Sequence, residues 1–349
     1  MRPHLLSLLP EEIAAHLRAK AVLIRDDEAR RALVHAASST GTLEASRRPL
    51  SRGLRRDIDE QFDTRRPEII ERVDDPLDGF VKYLFRAADG ALFEAVRIPL
   101  HKPGRYSICL SSQVGCAMKC DFCATGRLGL TRNLGAGEIV GSFLSVRDDV
   151  GDGGRATGAV FMGQGEPFHN FDQVIRAARV LSHPCGGRVA ADAITISTVG
   201  LVPQIRRFTR EDHPYRLIVS LSSAVAERRA TLLPVVAGRW TVEETVAAIR
   251  EHERATGAVV TVAWVTLGGV NTGDDEVEAL ERLLGGTKVR VNLIDVNDAR
   301  AGGYQRAADA ERDTFRDRLR ARGISTIRRY SGGAARHAAC GMLANVRSI

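Results

Sequence analysis

Cys116, Cys120 and Cys123 stand in the spacing C-x3-C-x2-C, with Phe122 just before the last cysteine. Soft thiolates favour iron–sulfur centres, and three on one short loop can hold three irons of a [4Fe–4S] cluster. Ferredoxin-type runs supply a fourth cysteine. This loop does not, which leaves one iron open to bind another molecule. A zinc site is the alternative, although zinc knuckles usually pair two cysteines against a second, distant pair. Three more cysteines are scattered singly: Cys109 before the loop, Cys185, and Cys340 near the C-terminus. Lone cysteines are by default buried structural thiols.

The elements that must position these residues follow a regular pattern. Residues 1–75 read as helical and polar, with Leu5, Leu6, Leu9, Ile13 and Leu17 at helical spacing and further helical runs at Arg25–Ala37 and Leu54–Phe62. Asp74–Gly79 marks a linker. Val81–Arg86 and Ala91–Ile98 form a hairpin turning at Asp89-Gly90. From Ser107 strands alternate with helices. The strands are Ser107–Leu110, Gly158–Met162, Ala193–Ser197, Leu217–Leu221, Val259–Val265 and Lys288–Leu293. The helices lie at Glu138–Val146, Phe171–Leu181, Gly200–Phe208, Thr241–Thr256, Asp274–Leu284 and Ala307–Arg322, with a last strand-like run at Ser325–Arg329. Thr241 and Glu244 fit a capping box, and Asp274 reads as the N-cap of the stripe Val277, Leu280, Leu283 and Leu284. Repeated βα units predict a parallel barrel or partial barrel, in which chemistry gathers where strands end. The cysteine loop follows the first strand and falls at that end.

The 349 residues suit one large domain with a small accessory one, and nothing approaches the run of about 18 apolar residues that spans a membrane. The N-terminus has too short an apolar run for a secretory signal, so a cytoplasmic protein, without membrane contact, is expected. Between Arg300 and Ile349 stand 11 arginines against four acidic residues, a surplus equal to the whole net charge of +7. Such a region either steers a polyanion such as RNA or forms a solvated helix face. The same choice applies to Arg47, Arg48, Arg52, Arg55 and Arg56, which meet phosphates or pair with Asp57, Asp59 and Glu60.

From Lys82 to the C-terminus the sequence resembles the radical S-adenosylmethionine (SAM) superfamily, and within it the RlmN/Cfr group of RNA adenosine methyltransferases. The likeness rests on several motifs in order: Lys82-Tyr-Leu-Phe85, Glu94-Ala-Val96, Cys109 through the cysteine loop to Arg132-Asn-Leu134, Gly163-Gln-Gly165-Glu166-Pro167, Ile194 to Pro203, Val291-Asn-Leu-Ile294 with Asn297, and Ala338-Ala-Cys340-Gly341. The resemblance implies an α/β fold, a partial (βα)6 barrel over residues 106–330. A helical accessory domain (1–75), a linker and hairpin (76–105) and a catalytic-cysteine segment (331–349) complete it. It implies that Cys116, Cys120 and Cys123 hold a [4Fe–4S] cluster and that Gly165, Glu166, Ser197, Ser220, Leu221, Ser222 and Asn297 contact SAM. Taken alone, Glu166 reads equally as a helix cap. Cys340 would carry a methyl group from one SAM, and a second SAM would supply the radical that activates it. Cys109 would then resolve the resulting protein–RNA crosslink by forming a disulfide. Glu94 matches a proton acceptor, or is an exposed strand residue. The implied partners are rRNA, with tRNA as a second substrate, and a flavodoxin- or ferredoxin-like electron donor, for a monomeric enzyme.

The chain departs from the family in three places. Ser222 replaces a histidine, Asp295 replaces a proline, and the acidic approach to the methyl-carrying cysteine reads Gly333-Ala-Ala-Arg336-His337. The N-terminal Phe-Arg-x-x-Gln helix is also absent; Leu23-Ile-Arg-Asp-Asp-Glu28 stands there. These changes keep a second reading open: the same methyl-cysteine chemistry on a small aromatic or peptide substrate.

Overall fold

The computed structural model describes residues 2–38, 49–151, 153–298, 300–329, 332–334 and 337–344. Three helices open the chain: α1 (Pro10–Ala19), α2 (Asp26–Ala36) and α3 (Arg52–Gln61). Their apolar stripes, among them Ile13, Leu17, Leu33, Leu54 and Ile58, are buried. Arg66 ties this region to the barrel through Asp148 at 2.7 Å and the carbonyl of Ala36 at 2.8 Å. The region is not wholly helical, because strand β1 (Glu68–Asp74) lies within it. Its side chains are exposed or half-buried along its length. An edge strand with no buried face leaves no alternating apolar signal.

β1 pairs antiparallel with β2 (Val81–Arg86), β2 with β3 (Leu92–Pro99), and β3 with β4 (Arg105–Leu110). After β4 a small antiparallel hairpin, β5 (Gln113–Gly115) and β6 (Leu130–Asn133), brackets the three cysteines and the short helix α4 (Ala124–Leu128). Helices and strands then alternate: α5 (Ala136–Asp149), β7 (Arg155–Phe161), α6 (Phe171–Ser182), β8 (Ile194–Thr198), α7 (Val202–Arg210) and β9 (Arg216–Ser220). There follow α8 (Ala226–Leu232), α9 (Pro234–Ala237), α10 (Val242–Thr256), β10 (Val260–Thr266), α11 (Asp274–Leu284), β11 (Val289–Asp295), α12 (Asp309–Ala321) and β12 (Ser325–Arg329).

All the main strands join one 10-stranded sheet in the order β1-β2-β3-β4-β7-β8-β9-β10-β11-β12. From β4 to β12 every neighbouring pair is parallel, so β12 adds a seventh parallel strand to the expected six. Helices cover the outer face, as a parallel sheet requires, and the carboxyl ends of the strands converge on one side.

The helix ends follow their sequence cues in one case and not in the other. Thr241 Oγ1 accepts the Glu244 amide at 3.1 Å while Glu244 caps Thr241 N–H at 2.8 Å, the expected reciprocal box. In α11 the N-cap is Gly273 and Asp274 is the first helical residue. Asp274, Asp275 and Glu276 therefore act as first-turn charges on the helix dipole. Among the described residues no helix is long and apolar enough to cross a membrane.

The arginine-rich C-terminal region is largely spent on internal pairs. Arg316 meets Asp313 and Asp317, Arg318 meets Asp274, Arg322 meets Glu281, and Arg312 meets Asp309, Asp313 and Asp295. Along α12 the solvated, ion-paired reading therefore holds. In α3, Arg56 lies 3.8 Å from both Asp57 and Glu60, while Arg47 and Arg48 fall outside the described residues.

Candidate active site

The cysteine loop is fixed from both flanks. Gly115 has φ +76°, and a Cβ there would come within 1.9 Å of the Gly129 carbonyl oxygen, so only glycine closes this hairpin. Cys116 N–H donates to that same oxygen at 2.8 Å. The three thiols line a single cavity of about 150 Å³. The strand ends complete it with Met162, Gly165, Glu166, Ser197, Thr198, Ser220, Asp295 and Asn297. Burial pushes the Cys116 thiol up to about 12 and raises Cys120 and Cys123 as well, with the neighbouring thiols adding to the effect for Cys116 and Cys120. Loading a metal centre here must release protons. Among the described residues no three His, Cys, Asp or Glu side chains converge to hold a metal ion. A single tetrahedral zinc would draw its thiolates to within about 4 Å of each other, whereas a four-iron cluster spreads its ligands over separate corners.

Glu166 combines both roles read from its sequence position. Its carboxylate accepts Phe168 N–H at 2.9 Å, capping the 3₁₀ turn Pro167–Asn170, and Val199 N–H at 2.9 Å across the cavity. Burial raises it to about 7, against the pull of these donors. Gln113 holds the Glu166 amide at 2.8 Å, and Gly165 has φ +97° with the Gln113 side chain where a Cβ would go.

Of the seven expected SAM positions, Gly165, Glu166, Ser197, Ser220 and Asn297 line the cavity, whereas Leu221 and Ser222 do not. Leu221 packs into the core, and Ser222 adopts φ +52° with its hydroxyl 3.3 Å from Ser220 Oγ. Asn271 holds the Ser222 carbonyl at 2.7 Å and fixes this turn. Asp295 brings a carboxylate to the cavity wall, but Arg328 at 3.1 Å and Arg312 at 3.5 Å compensate it.

Cys340 forms part of the wall of this cavity and also lines a second one, of about 50 Å³, together with Cys109, Phe80, Val96, Met162 and Arg329. That volume holds a methyl group or a few waters. Both thiols are free. Burial and the adjacent Cys340 push the Cys109 thiol up to about 12, against the opposing charge of Arg329. The loop that carries Cys340 is tied to the cysteine loop: Ala124 N–H donates to Gly341 O at 2.7 Å, and Thr125 Oγ1 to Leu343 O at 2.6 Å. Asn297 Nδ2 donates to Cys340 O at 3.4 Å. Arg336 falls outside the described residues. Cys185 is half-buried against the core, away from both cavities.

Glu94 is not an exposed strand residue. It is 1% exposed and lies 3.4 Å from the buried Lys82 ammonium. Gln164 Nε2 donates to it at 3.2 Å. Lys82 pairs with Val96 and Val96 with Cys109 across the sheet, so Lys82, Glu94 and Cys109 share the inward face. Glu94 lines neither cavity.

Two residues of the site escaped the sequence reading. Gln164, inside the Gly-Gln-Gly-Glu run, joins Glu94 to the turn that carries Gly165 and Glu166, and its position in the motif was the available signal. Arg229 is 1% exposed on α8, the helix whose Leu232 carbonyl holds Asp121 N–H of the cysteine loop, and nothing in Arg228-Arg229 marks which arginine is buried.

No family model matches the chain. It is 50% identical over 273 residues, 78% of this chain and 80% of the relative, to a probable RNA methyltransferase of Anaeromyxobacter sp. strain Fw109-5. It is 42% identical over 266 residues, 76% of this chain and 77% of the relative, to the dual-specificity RNA methyltransferase RlmN of Syntrophobacter fumaroxidans. The crystal structure of a radical SAM methyltransferase from Sphaerobacter thermophilus superposes with a TM-score of 0.89 at 36% identity, covering 99% of this chain and 100% of that one. The chain belongs to the RlmN-type radical SAM RNA methyltransferases.

Proposed function

We propose that this enzyme methylates a ring carbon of adenosine in RNA, C2 rather than C8, with 23S rRNA as the main substrate and tRNA as a second. The observation that carries the reading is the position of Cys340 in the wall common to the two cavities. A group attached to its sulfur can face the cofactor cavity in one step and Cys109 in another.

The donor set fits the implied cofactors. Cys116, Cys120 and Cys123 would hold three irons, and Glu166 with Gly165 would hold the SAM ammonium beside the open iron. The cluster and SAM together supply a methyl group in one use and a 5′-deoxyadenosyl radical in another. The protein contributes position and proton control. Ser197, Ser220 and Asn297 give hydrogen-bond partners at three strand ends. The aliphatic small cavity keeps the Cys109 thiol protonated until Cys340 is to be released. At that point Cys109 would lose its proton and its Sγ would attack Cys340 Sγ. The bond from Cys340 Sγ to the product carbon would break, its electron pair staying with that carbon, which takes up a proton and leaves as the product's methyl group while the disulfide forms. Glu94, held by Lys82 and Gln164, is the proton acceptor on the same face.

Anaerobic reconstitution with iron, sulfide and SAM, followed by peptide mass spectrometry, is expected to find one methyl group on Cys340. An unmethylated Cys340 in cluster-loaded protein would sink the relay. Cys109→Ala is expected to accumulate a covalent adduct in cells. RNA in that adduct supports the substrate assignment; a peptide or small aromatic molecule replaces it with the second reading, which Asp295 at the cavity wall favours.

A further inference from the structure

Arg229, on α8, carries a buried charge without a visible counter-charge. Its guanidinium donates to the carbonyls of Leu221 at 2.7 Å and Val199 at 3.4 Å, and its Nε has no partner. No ion pair joins it to a carboxylate of the described residues. Its neighbour Arg228 shows the ordinary arrangement, meeting Asp275 at 2.7 Å and Glu276 at 2.5 Å at a half-buried position. An unpaired buried charge costs several kcal/mol, on the order of the whole stability margin of a domain. Buried charges are as a rule paired, so a counter-charge is expected at this place.

The chemistry of the adjoining loop supplies that anion. Leu232, at the end of the same helix, accepts Asp121 N–H at 3.1 Å, which fastens α8 to the cysteine loop. Among the ionisable groups around Arg229, Cys120 is the one whose negative charge would favour the guanidinium, which burial otherwise pulls down to about 10. With the thiols protonated there is no such charge. Once three thiolates hold a [4Fe–4S] core they outweigh its positive charge, and reduction adds one more electron at the same place.

We infer that Arg229 is the counter-charge of the iron–sulfur cluster, a positioning residue that stabilises cluster binding and raises the reduction potential by favouring the more negative, reduced state. This rests on the reading of Cys116, Cys120 and Cys123 as cluster ligands. The Arg229 guanidinium bonds the chain at the ends of β8 and β9, where Val199 and Ser220 line the cofactor cavity. Arg229 itself lines neither cavity, so its cation sits behind the wall that these strand ends form.

The test compares Arg229→Met, which removes the charge, with Arg229→Lys, which keeps it. Each reconstituted protein is titrated potentiometrically and followed by electron paramagnetic resonance of the reduced cluster. At a fixed potential the methionine variant is expected to hold at least about tenfold less reduced cluster relative to oxidised, a shift of about 59 mV for a one-electron couple. The lysine variant is expected to change by less than about threefold, about half that shift. The rise in melting temperature on cluster loading is expected to shrink in the methionine variant and persist in the lysine one, because that difference isolates the coupling from any loss of apo stability. A methionine variant with full iron content and an unmoved potential overturns the inference. So does an equal drop in melting temperature with and without cluster, the result of a purely structural role. Should the methionine variant fail to fold, a lysine variant with full iron whose potential falls by the tenfold equivalent overturns it instead. Wild-type protein that takes up no cluster refutes the ligand assignment itself, a result separable from the others.

Discussion

The two cavities that meet at Cys340 differ in how they treat charge. The larger one is walled by strand ends that offer hydroxyls, amides and a carboxylate, and Asp295 stays there because two arginines answer it. The smaller one is walled by Phe80, Val96, Ile98, Met162 and Leu343, and its single cation, among the described residues, is Arg329, whose Nη1 rests 2.9 Å from Met162 Sδ. Polar ends of strands suit a charged ligand, whereas an apolar recess favours the protonated form of the thiols it encloses. One cysteine, Cys340, stands in the wall of both environments, which is the arrangement the proposed relay would use.

The largest test of that division strikes the cofactor side. Replacing any one of Cys116, Cys120 or Cys123 by Ala is expected to remove the cluster, measured as iron content and visible absorption. Methylation should fall by about a thousandfold or more, beyond what losing one positioned hydrogen-bond donor costs. An active, iron-free variant would dissolve the distinction between the cavities.

Next in size is the titration of Glu166. Its carboxyl is raised from 4.5 to about 7 by burial, so in the cluster-free protein the folded state prefers it protonated. Its contribution to stability is full below about pH 4.5 and is lost as pH rises through about 7. Between pH 5 and 8, urea denaturation should show wild-type losing about 3 kcal/mol relative to Glu166→Gln. Parallel pH profiles for the two proteins would count against a buried, raised carboxyl.

Asp295→Asn is expected to destabilise by about 2 kcal/mol, read from the denaturation midpoint, because the buried Arg312 loses one of its carboxylates. A gain in stability would mean the charge is tolerated rather than used. The smallest test distinguishes two neighbouring serines. Ser220→Ala should weaken SAM binding by about fivefold, about 1 kcal/mol, and Ser222→Ala by less than about twofold, measured by calorimetry. Equal effects would put Ser222 back among the cofactor contacts.

Much of this arrangement was legible in the chain. Strands buried on both faces, such as Leu217–Val219 and Val262–Trp264, announce themselves as short apolar runs. Thr241 and Glu244 announce a helix start. The cysteine spacing declares its own chemistry, and the family motifs order the rest. What stayed hidden depends on contacts distant in sequence. β1 has no buried face, so its pairing with β2 leaves no pattern. Glu94 looks like any charged strand residue until Lys82 and Gln164 surround it. Arg228 and Arg229 are adjacent and chemically alike, and only the direction of α8 sends one to Asp275 and the other inward. Leu221 and Ser222 follow a strand end directly, yet Ser222 takes a left-handed backbone and is fully buried behind Ser220 rather than in the cavity wall.

The bonds from Ala124 and Thr125 to the loop around Cys340 also set an order of assembly. Thr125 and Leu343 are 218 residues apart in the chain, so the cysteine loop leaves the ribosome long before the segment that closes over it. Those two bonds therefore join the most widely separated parts of the site, and they can close only after the whole barrel between them has been made.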